Sequence, residues 1–457
     1  MLLESTIMQK RQAGVMRFVL AATVAVLLPA LVGAQQPADP EVAARAEAVV
    51  DDLVAGRFAE VYARFDQKMR EGLPVEKIAA GWNTVQQAAG SFERRLSTTT
   101  DAKGGYRIAI VSCAFERANV DVQVVFDGQD RIAGLFMRPT GPRAMAALPD
   151  YAKPGAYTER DVTVDAGGWP LPGTLTLPAG SGPFPAIVVV HGSGPLDRDG
   201  TIGPNKPYRD LAVGLASRGI AVLRYDKRTL VHGQKMLSET DGTVDDEVID
   251  DARAAAALLR TLPEIDDDRV FVLGHSLGGM LAPRIAQSVP DLAGLIVMAG
   301  ATRSIEQALV EQTRYLLMAD GLLTDDEKAQ LMEVEQLAGQ IRALDDDDRG
   351  STELIAGAPA AYWLDLRGYD PTVLAAKSSL PMLILQGERD YQVTMRDFDR
   401  WRRAVDSRAN VTLRSYPKLN HLFMAGEGQS LPSEYTVPGN IDAQVIDDIA
   451  RWIESLQ

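Results

Sequence analysis

The sequence predicts a two-part α/β protein, with a small α+β domain ahead of a larger domain built on a mostly parallel sheet with helices on both faces. The chain has 457 residues, too many for one ordinary domain, and 46% of them are apolar, enough for substantial cores. Near the N-terminus, helical patterns are followed by runs that alternate with a period of two. Beyond residue 160, continuous apolar strands alternate with helical segments, which is typical of a parallel sheet covered on both faces.

Residues 1–34 are predicted to form a signal peptide. A basic stretch ending at Arg17 precedes an apolar run from Phe18 to Val32, and Val32-Gly33-Ala34 offers a cleavage site of small residues. The apolar run is shorter than the ~20 residues that a membrane span requires, so cleavage is favoured over the alternative of an uncleaved anchor. We therefore expect an exported protein, periplasmic or secreted, without stable membrane insertion after cleavage.

Charge and cysteine content exclude several classes of protein. The net charge of −15 argues against nucleic acid or an anionic membrane surface as a partner. The chain has one cysteine, Cys113, and so cannot form an intrachain disulfide. Because Cys113 lies in an alternating run without a nearby His or Cys, we interpret it as a small residue within a strand.

Residues 39–138 are predicted to form the small α+β domain. A helical stripe from Glu41 to Phe65 is interrupted at Gly56, and a further helix follows it. Alternating strands such as Val120 to Phe126 come next, and Asp127-Gly128 makes a hairpin turn into the last of them. This region has no histidine and no acid pair placed for chemistry, so we expect it to bind, space or pack.

The larger domain is predicted to span residues 159–457, after a linker over residues 139–158 that is rich in Pro and Gly. It begins with a hairpin within residues 162–177, and strands and helices then alternate. Residues 301–377 break this alternation, because they are helical and amphipathic without a strand. They are predicted to form a cap inserted into the sheet domain.

The central motif is Gly274-His275-Ser276-Leu277-Gly278, which follows the apolar run Val270 to Leu273 and precedes a helical pattern. A strand, a Gly-x-Ser-x-Gly turn and a helix in this order are typical of a nucleophile elbow, which holds a serine in a strained conformation with its hydroxyl exposed. The helix N-terminus presents free N–H groups to a developing oxyanion. Ser276 is therefore the candidate nucleophile.

A serine nucleophile needs a base, and the chain contains four histidines. His275 occupies an elbow position whose side chain normally points away, and His191 ends a strand beneath a glycine-rich loop. His232 lies in a polar loop. His421 follows the last predicted strand, and it is the candidate base.

The candidate acid is Asp390, at the end of a buried strand that closes with Gly387-Glu388-Arg389-Asp390. A carboxylate there can orient an imidazole and stabilise its cation. Glu388 is the local alternative. The order serine, acid, histidine along the chain is the order that a fold with a nucleophile elbow requires.

An oxyanion hole needs two backbone N–H groups about 3 Å from the developing charge. Leu277, directly after the nucleophile, is expected to supply one of them. Ser193, in the loop His191-Gly192-Ser193-Gly194-Pro195, is expected to supply the other, with Gly194 as the alternative. Gly194 is also a candidate substrate contact.

Two further expectations concern ligands. Trp363, near the end of the predicted cap, is a candidate for substrate binding, with packing inside the cap as the alternative. No metal site is predicted, because the histidines are few and unpaired. No cofactor is predicted either, since no phosphate loop or dinucleotide fingerprint is present.

Residues Arg160 to Gln457 resemble the α/β-hydrolase superfamily, in its exported dienelactone-hydrolase-like and serine-aminopeptidase-like branch. The matching segments are His191 to Pro195 with Asp197-Arg198-Asp199, Arg224 to Arg228, Gly274 to Gly279, Gly387 to Asp390, and Asn420-His421. The helix-then-sheet layout of the small domain looks like a DUF3887-type domain with an NTF2- or cystatin-like shape.

The resemblance implies a serine hydrolase that needs no cofactor. We expect it to cleave a small-molecule carboxylic ester through an acyl-enzyme on Ser276. A serine peptidase or amidase is the alternative, since the same triad serves both reactions. A non-catalytic binding protein is a third possibility, and the triad order argues against it.

Overall fold

The computed structural model describes residues 39–115, 118–142, 146–237 and 241–456. The predicted signal peptide lies outside these ranges. Within them, no helix combines the length and the apolar character that a membrane crossing requires.

The small domain consists of four helices and a four-stranded antiparallel sheet in the order β1-β2-β3-β4. The helices are α1 (Pro40–Val54), α2 (Phe58–Ala63), α3 (Gln67–Gly72) and α4 (Val75–Ala89). The strands are β1 (Phe92–Lys103), β2 (Tyr106–Phe115), β3 (Ala118–Phe126) and β4 (Ile132–Pro142). Apolar faces of the helices and the sheet enclose one core, which includes Cys113. Burial raises the pKa of the Cys113 thiol to about 11.

Local chemistry explains where the small domain follows its sequence pattern and where it departs from it. Gly56 adopts a φ of 71° between α1 and α2, so the helical stripe divides at this residue. The β1 strand lacks the apolar alternation that marks β3, because it is an edge strand with mostly exposed side chains. The β4 strand continues to Pro142, four residues into the region predicted as linker.

The larger domain contains an eight-stranded sheet in the order β12-β11-β10-β9-β7-β8-β6-β5. Its strands are β5 (Tyr157–Asp165), β6 (Pro170–Pro178), β7 (Phe184–Val190), β8 (Ala221–Tyr225), β9 (Ile265–His275), β10 (Gly294–Met298), β11 (Met382–Gly387) and β12 (Val411–Tyr416). β5 and β6 form the predicted antiparallel hairpin, and β6 also pairs antiparallel with β8. The pairs from β8 through β7, β9, β10 and β11 to β12 are parallel.

Helices cover both faces of this sheet. They are α5 (Pro207–Ala216), α6 (Arg228–Val231), α7 (Gly233–Leu237), α8 (Asp250–Arg260), α9 (Leu277–Ser288), α10 (Ile305–Leu317), α11 (Asp325–Ala343), α12 (Ala360–Leu366), α13 (Pro371–Lys377), α14 (Met395–Val405) and α15 (Ala443–Glu454). A π-helical turn, Asp245–Ile249, leads into α8, and 3-10 turns occur at Asp346–Asp348 and Pro432–Thr436.

Alternate residues of each central strand enter different cores. Val270 and Val272 of β9 pack with α8, α9 and α14, whereas Phe271 and Leu273 pack with α5 and α15. This is the two-sided burial that continuous apolar strands predict. The carboxyl ends of the parallel strands therefore meet at one edge of the sheet, where loops carry the polar residues.

The predicted cap is helical, as its sequence pattern indicates. α10 packs against α11, and residues of α11 and α12 share a small apolar cluster. α13 packs against α9 and α14, so it joins the helical layer of the sheet.

Candidate active site

Ser276 lies on the sharp turn between β9 and α9, with φ 56° and ψ −113°. A side chain at Gly278 would place its Cβ 2.5 Å from the Val190 carbonyl oxygen, and one at Gly274 would collide with the Gly278 backbone. Both contacts are with backbone atoms, so the two glycines are required for strand and helix to approach this closely. The turn holds the serine in the left-handed region that side chains avoid, as expected of a nucleophile elbow.

Asp390 and His421 form a direct pair after β11 and β12. The His421 Nδ1 lies 2.6 Å from the Asp390 Oδ2, and both side chains are buried. The Asp390 Oδ1 accepts from the backbone N–H groups of Gln392 (2.8 Å) and Val393 (3.0 Å). Because this carboxylate accepts the Nδ1 proton, the His421 Nε2 is left as the basic nitrogen.

The competing acid has another partner. Glu388 is exposed, and its Oε1 accepts a hydrogen bond of 2.8 Å from the Ser415 hydroxyl. The geometry therefore pairs His421 with Asp390. Within the described chain, no hydrogen bond joins the Ser276 hydroxyl to His421, so the complete triad stays a prediction.

His275 links the elbow to two neighbouring loops. The Gly192 N–H donates to the Tyr208 hydroxyl (3.2 Å), and that hydroxyl lies 3.1 Å from the His275 Nδ1. The His275 Nε2 lies 2.9 Å from the His421 carbonyl oxygen, which can only accept. The consistent tautomer therefore has Nε2–H donating to His421 and Nδ1 accepting from Tyr208.

His275 and His191 are held neutral. Burial, followed by the neighbouring His421, lowers the pKa of His275 to about 3. Burial, followed by the charge of Lys227, lowers the pKa of His191 to about 3. The His191 ring packs edge-on against Tyr208 and Tyr225. These contacts give both residues a structural place, in agreement with the sequence-based expectation.

The glycine-rich loop after β7 lies against the elbow. A Cβ on Gly192 would be 3.1 Å from the Ser276 Cβ, and the Gly278 N–H donates to the His191 carbonyl (3.0 Å). In the described chain, neither the Ser193 nor the Leu277 backbone N–H donates to a protein acceptor. Two amides without acceptors beside Ser276 suit an oxyanion hole. The assignment of Ser193 and Leu277, and of Gly194 (φ 91°) as a substrate contact, stays a prediction.

Charged side chains near this edge of the sheet are paired with side chains of opposite charge. The guanidinium of Arg198 donates two hydrogen bonds to the Asp226 carboxylate, and Arg228 pairs with the buried Asp251. Lys227 is buried with Glu247 as its partner. Arg198, Lys227 and Arg228 thus each have an acidic partner within the protein.

Trp363 lies in the interior of the cap. It is buried beside Ile341 and Leu364, and its indole N–H donates to the Ile355 carbonyl (2.8 Å). These contacts favour packing as its role, and substrate binding by Trp363 stays a prediction. Nearer the candidate acid, Tyr315 of α10 stacks on Tyr391 with ring centres 5.3 Å apart.

Sequence reasoning did not find Tyr208 or the bond from Lys227 to the Gly192 carbonyl. Tyr208 lies in a helix with no motif around it. The position of Lys227 was a weak indication, because it lies two residues after β8, which ends at the same sheet edge as Ser276.

One acidic group in the described ranges has the spacing to hold a cation, namely Asp266, Asp267 and Asp268. It lies near the start of β9, at the opposite end of that strand from His275 and Ser276. It is therefore separate from the candidate active site.

The elbow, the Asp–His pair and the two free amides on this sheet define the class of α/β-hydrolase-fold serine hydrolases. Residues 186–428 match the family model described as serine aminopeptidase, S33, and residues 46–135 match that of DUF3887, described as a protein of unknown function. The chain belongs to the serine aminopeptidase S33 family of α/β-hydrolases, with a DUF3887 domain at its N-terminal side.

A relative supports this assignment along most of the chain. Esterase EstD of Thermotoga maritima is 38% identical over 405 residues, which cover 88% of this chain and 93% of the relative. The alignment is longer than residues 159–457, so the relative shares much of the small domain as well.

Two solved esterase structures match about two thirds of the chain. An esterase of Pyrococcus furiosus has 15% identity and a TM-score of 0.41, covering 65% of this chain and 91% of that one. An esterase of Pyrobaculum calidifontis has 17% identity and a TM-score of 0.41, covering 67% and 88%.

Proposed function

We propose that this protein is an exported serine carboxylesterase that acts through an acyl-enzyme on Ser276. The observation that carries the proposal is the 2.6 Å Asp390–His421 pair beside a strained elbow serine. The name of the Thermotoga maritima relative, an esterase, favours ester over amide substrates.

The proposed reaction assigns a role to each residue of this site. The His421 Nε2 takes the proton of the Ser276 hydroxyl as the oxygen attacks the ester carbonyl, while Asp390 stabilises the imidazolium. The Ser193 and Leu277 N–H groups donate to the oxyanion of the tetrahedral intermediate. The His421 Nε2–H then protonates the departing alcohol, and water, activated by the same nitrogen, releases the acid and regenerates Ser276.

Fluorophosphonate labelling tests the nucleophile. We expect wild-type protein to be labelled once, at Ser276, and Ser276→Ala to lose both the label and esterase activity. Ser288→Ala, at the far end of α9, is the matched control and should be labelled like wild type. Failure to label wild type, or equal labelling of Ser276→Ala, would reject the serine-hydrolase mechanism.

A peptidase or amidase is the second candidate, because the matching family model is described as a serine aminopeptidase. A panel of p-nitrophenyl esters of increasing acyl length, run against aminoacyl-anilides, separates the two. We expect turnover of esters, and turnover of anilides alone would reverse the assignment.

Export rests on the basic stretch and apolar run before Ala34. The mass of the protein recovered from expressing cells tests it, with a mature N-terminus after Ala34 expected. A full-length cytoplasmic product would contradict export and leave the hydrolase proposal standing.

A further inference from the structure

Lys227 is a buried lysine that binds the backbone of the loop beside Ser276. Its side chain has 2% of its surface exposed, whereas lysines are almost never fully buried unless they are paired. Its Nζ donates to the Gly192 carbonyl oxygen (2.9 Å) and lies 2.6 Å from the Glu247 Oε1. A buried ion pair is often no more stabilising than well-packed apolar side chains of similar volume. Stability alone therefore does not account for the Lys227–Glu247 pair, and its position beside the loop indicates a further role.

The bonded carbonyl belongs to the peptide group that contains the predicted oxyanion donor. The Gly192 C=O and the Ser193 N–H share one planar trans peptide, so they point in opposite directions. A bond that fixes the direction of the oxygen therefore fixes the direction of the N–H as well. The Ser193 N–H points away from Lys227 and has no acceptor within the described chain.

The preceding peptide is held independently. The Gly192 N–H donates to the Tyr208 hydroxyl, and the Gly192 Cα packs against Ser276. The backbone of Lys227 is also tied to this loop, because its N–H donates to the Leu196 carbonyl (3.0 Å). The chain is thus held before the Gly192–Ser193 peptide by the Tyr208 bond and after it by the Leu196 bond. Between these two points, the bond from the Lys227 ammonium to the Gly192 carbonyl restricts rotation of the peptide.

The charge of the Lys227 ammonium has a second effect on this peptide, in addition to orienting it. A hydrogen bond from an ammonium to a carbonyl is stronger than a neutral one, and in a buried site it polarises the amide. The N–H of that amide becomes a better donor to a developing oxyanion. Glu247, at the π-helical turn before α8, balances the charge and keeps the ammonium in place.

We propose that Lys227 is a positioning residue for the oxyanion hole, which orients and polarises the Gly192–Ser193 peptide while Glu247 anchors its ammonium. This inference rests on the proposed serine-hydrolase function. It assigns no contact between Lys227 and the substrate, so its effect is confined to states in which an oxyanion exists.

The test compares two variants. Lys227→Met removes the ammonium at similar length, and Lys227→Met with Glu247→Gln also avoids leaving a buried carboxylate unpaired. We expect kcat for a p-nitrophenyl ester to fall about 10- to 100-fold in both, because removal of an oxyanion donor costs about 10²–10³ and here the donor is misdirected, not removed. KM should stay within about twofold, since ground-state binding is unchanged.

Affinity for a trifluoromethyl ketone provides the readout that a merely structural role would not change. This compound forms a tetrahedral oxyanion adduct with the serine, so its binding should weaken by the same factor as kcat. The affinity for the alcohol product, which carries no anionic oxygen, should stay constant. All rates are normalised to sites titrated with a chromogenic phosphonate, so that unfolded protein does not contribute.

The matched control is the neighbouring buried pair. Arg228→Met with Asp251→Asn removes an ion pair one residue further along the chain that does not touch the loop. We expect it to lower stability and leave kcat per titrated site within about twofold of wild type.

Three results would overturn the inference: wild-type kcat per site in the Lys227 variants, a loss equal to that of the control pair, or a change confined to KM. If wild type itself is not labelled by a fluorophosphonate, the proposed function fails first. The two failures are therefore distinguishable.

Discussion

The small domain encloses an almost wholly apolar core, whereas the larger domain buries charged and polar side chains along one edge of its sheet. In the described part of the small domain, Asp52 is the one buried charged residue, and it pairs with Arg57 and Arg64. The sheet edge of the larger domain buries His191, Lys227, His275, Asp390 and His421, with further polar residues around them.

This difference indicates that the core of the small domain serves stability, whereas the buried polar groups of the larger domain serve catalysis. Burying a polar group costs free energy unless its hydrogen bonds are satisfied, so a core that serves stability alone has little use for one. The sheet edge retains such groups and orders them in bonds that end at the elbow and the Asp–His pair. Replacing a buried polar residue should therefore reduce mainly catalysis in the larger domain and mainly stability in the small domain.

The largest contrast is expected from one substitution made in each domain. Asp390→Asn replaces the acceptor for the His421 Nδ1–H, which favours the wrong tautomer, and we expect kcat to fall about 10⁴-fold. Steady-state ester hydrolysis per titrated site measures this loss. Circular dichroism should show that the fold is retained.

Asp52→Asn is the matched control in the small domain. We expect kcat to be unchanged and the free energy of unfolding to fall by roughly 1 kcal/mol, because Arg57 and Arg64 lose their charged partner while remaining half exposed. A loss of activity as large as that of Asp390→Asn would contradict the division between the domains.

Acid should weaken the part of the larger domain that holds the buried, neutral His191 and His275. The pKa values of His191 and His275 are each lowered to about 3, against about 6.5 in an unfolded chain. The unfolded state therefore binds more protons below pH 6.5, and stability falls as the pH drops from about 6.5 towards 3. At pH 5 the cost is about 2 kcal/mol for each histidine relative to pH 8.

The small domain contains no histidine in residues 39–138, so it lacks this source of acid sensitivity. Hydrogen exchange, corrected for intrinsic rates, can compare peptides from β9 with peptides from β3 at pH 8 and pH 5. Protection should decrease more in β9, and an equal decrease in both strands would refute the expectation.

The smallest contrast is a glycine-to-alanine substitution in each domain. Gly192→Ala would place a Cβ 3.1 Å from the Ser276 Cβ, so either the loop or the elbow must shift. A displacement on the scale of 1 Å can cost about 10²-fold in rate, and we expect a loss of up to that size in kcat. Ester kinetics measure it, and an unchanged kcat would show that the loop adapts freely.

Gly81→Ala in α4 is the matched control. Its Cβ would lie 3.5 Å from the Met137 Cε, an ordinary contact, and Gly81 lies within a helix. We expect unchanged kcat and a gain of about 0.5–1 kcal/mol in stability, because alanine loses less backbone entropy than glycine when a helix forms. Urea unfolding followed by circular dichroism checks the sign.

Features encoded by short-range pattern could be predicted from the sequence. The strand, turn and helix around Ser276 follow from local periodicity and glycines, and β5 and β6 form the predicted hairpin. The pairing of Asp390 with His421 follows from the topology, since the two residues lie in the loops after the neighbouring strands β11 and β12.

Features that depend on tertiary contact could not be predicted. Tyr208 and His275 are 67 residues apart, and nothing in either local sequence indicates their hydrogen bond. The β1 strand escaped prediction because, as an exposed edge strand, it carries polar side chains where alternation would otherwise appear. Pattern reasoning is therefore strongest where one face of an element is buried, and weakest at edges and in side-chain networks.

The hydrogen bonds of His275 have a consequence for the dynamics of this enzyme. One imidazole connects the loop that carries the oxyanion donor, through Tyr208, with the loop that carries the base, through the His421 carbonyl. Both loops are therefore held by hydrogen bonds, one of them through Tyr208, to the residue adjacent to the nucleophile. When thermal motion twists the sheet, we expect base, donor and nucleophile to move together, so that their mutual distances vary less than the positions of the strands that carry them.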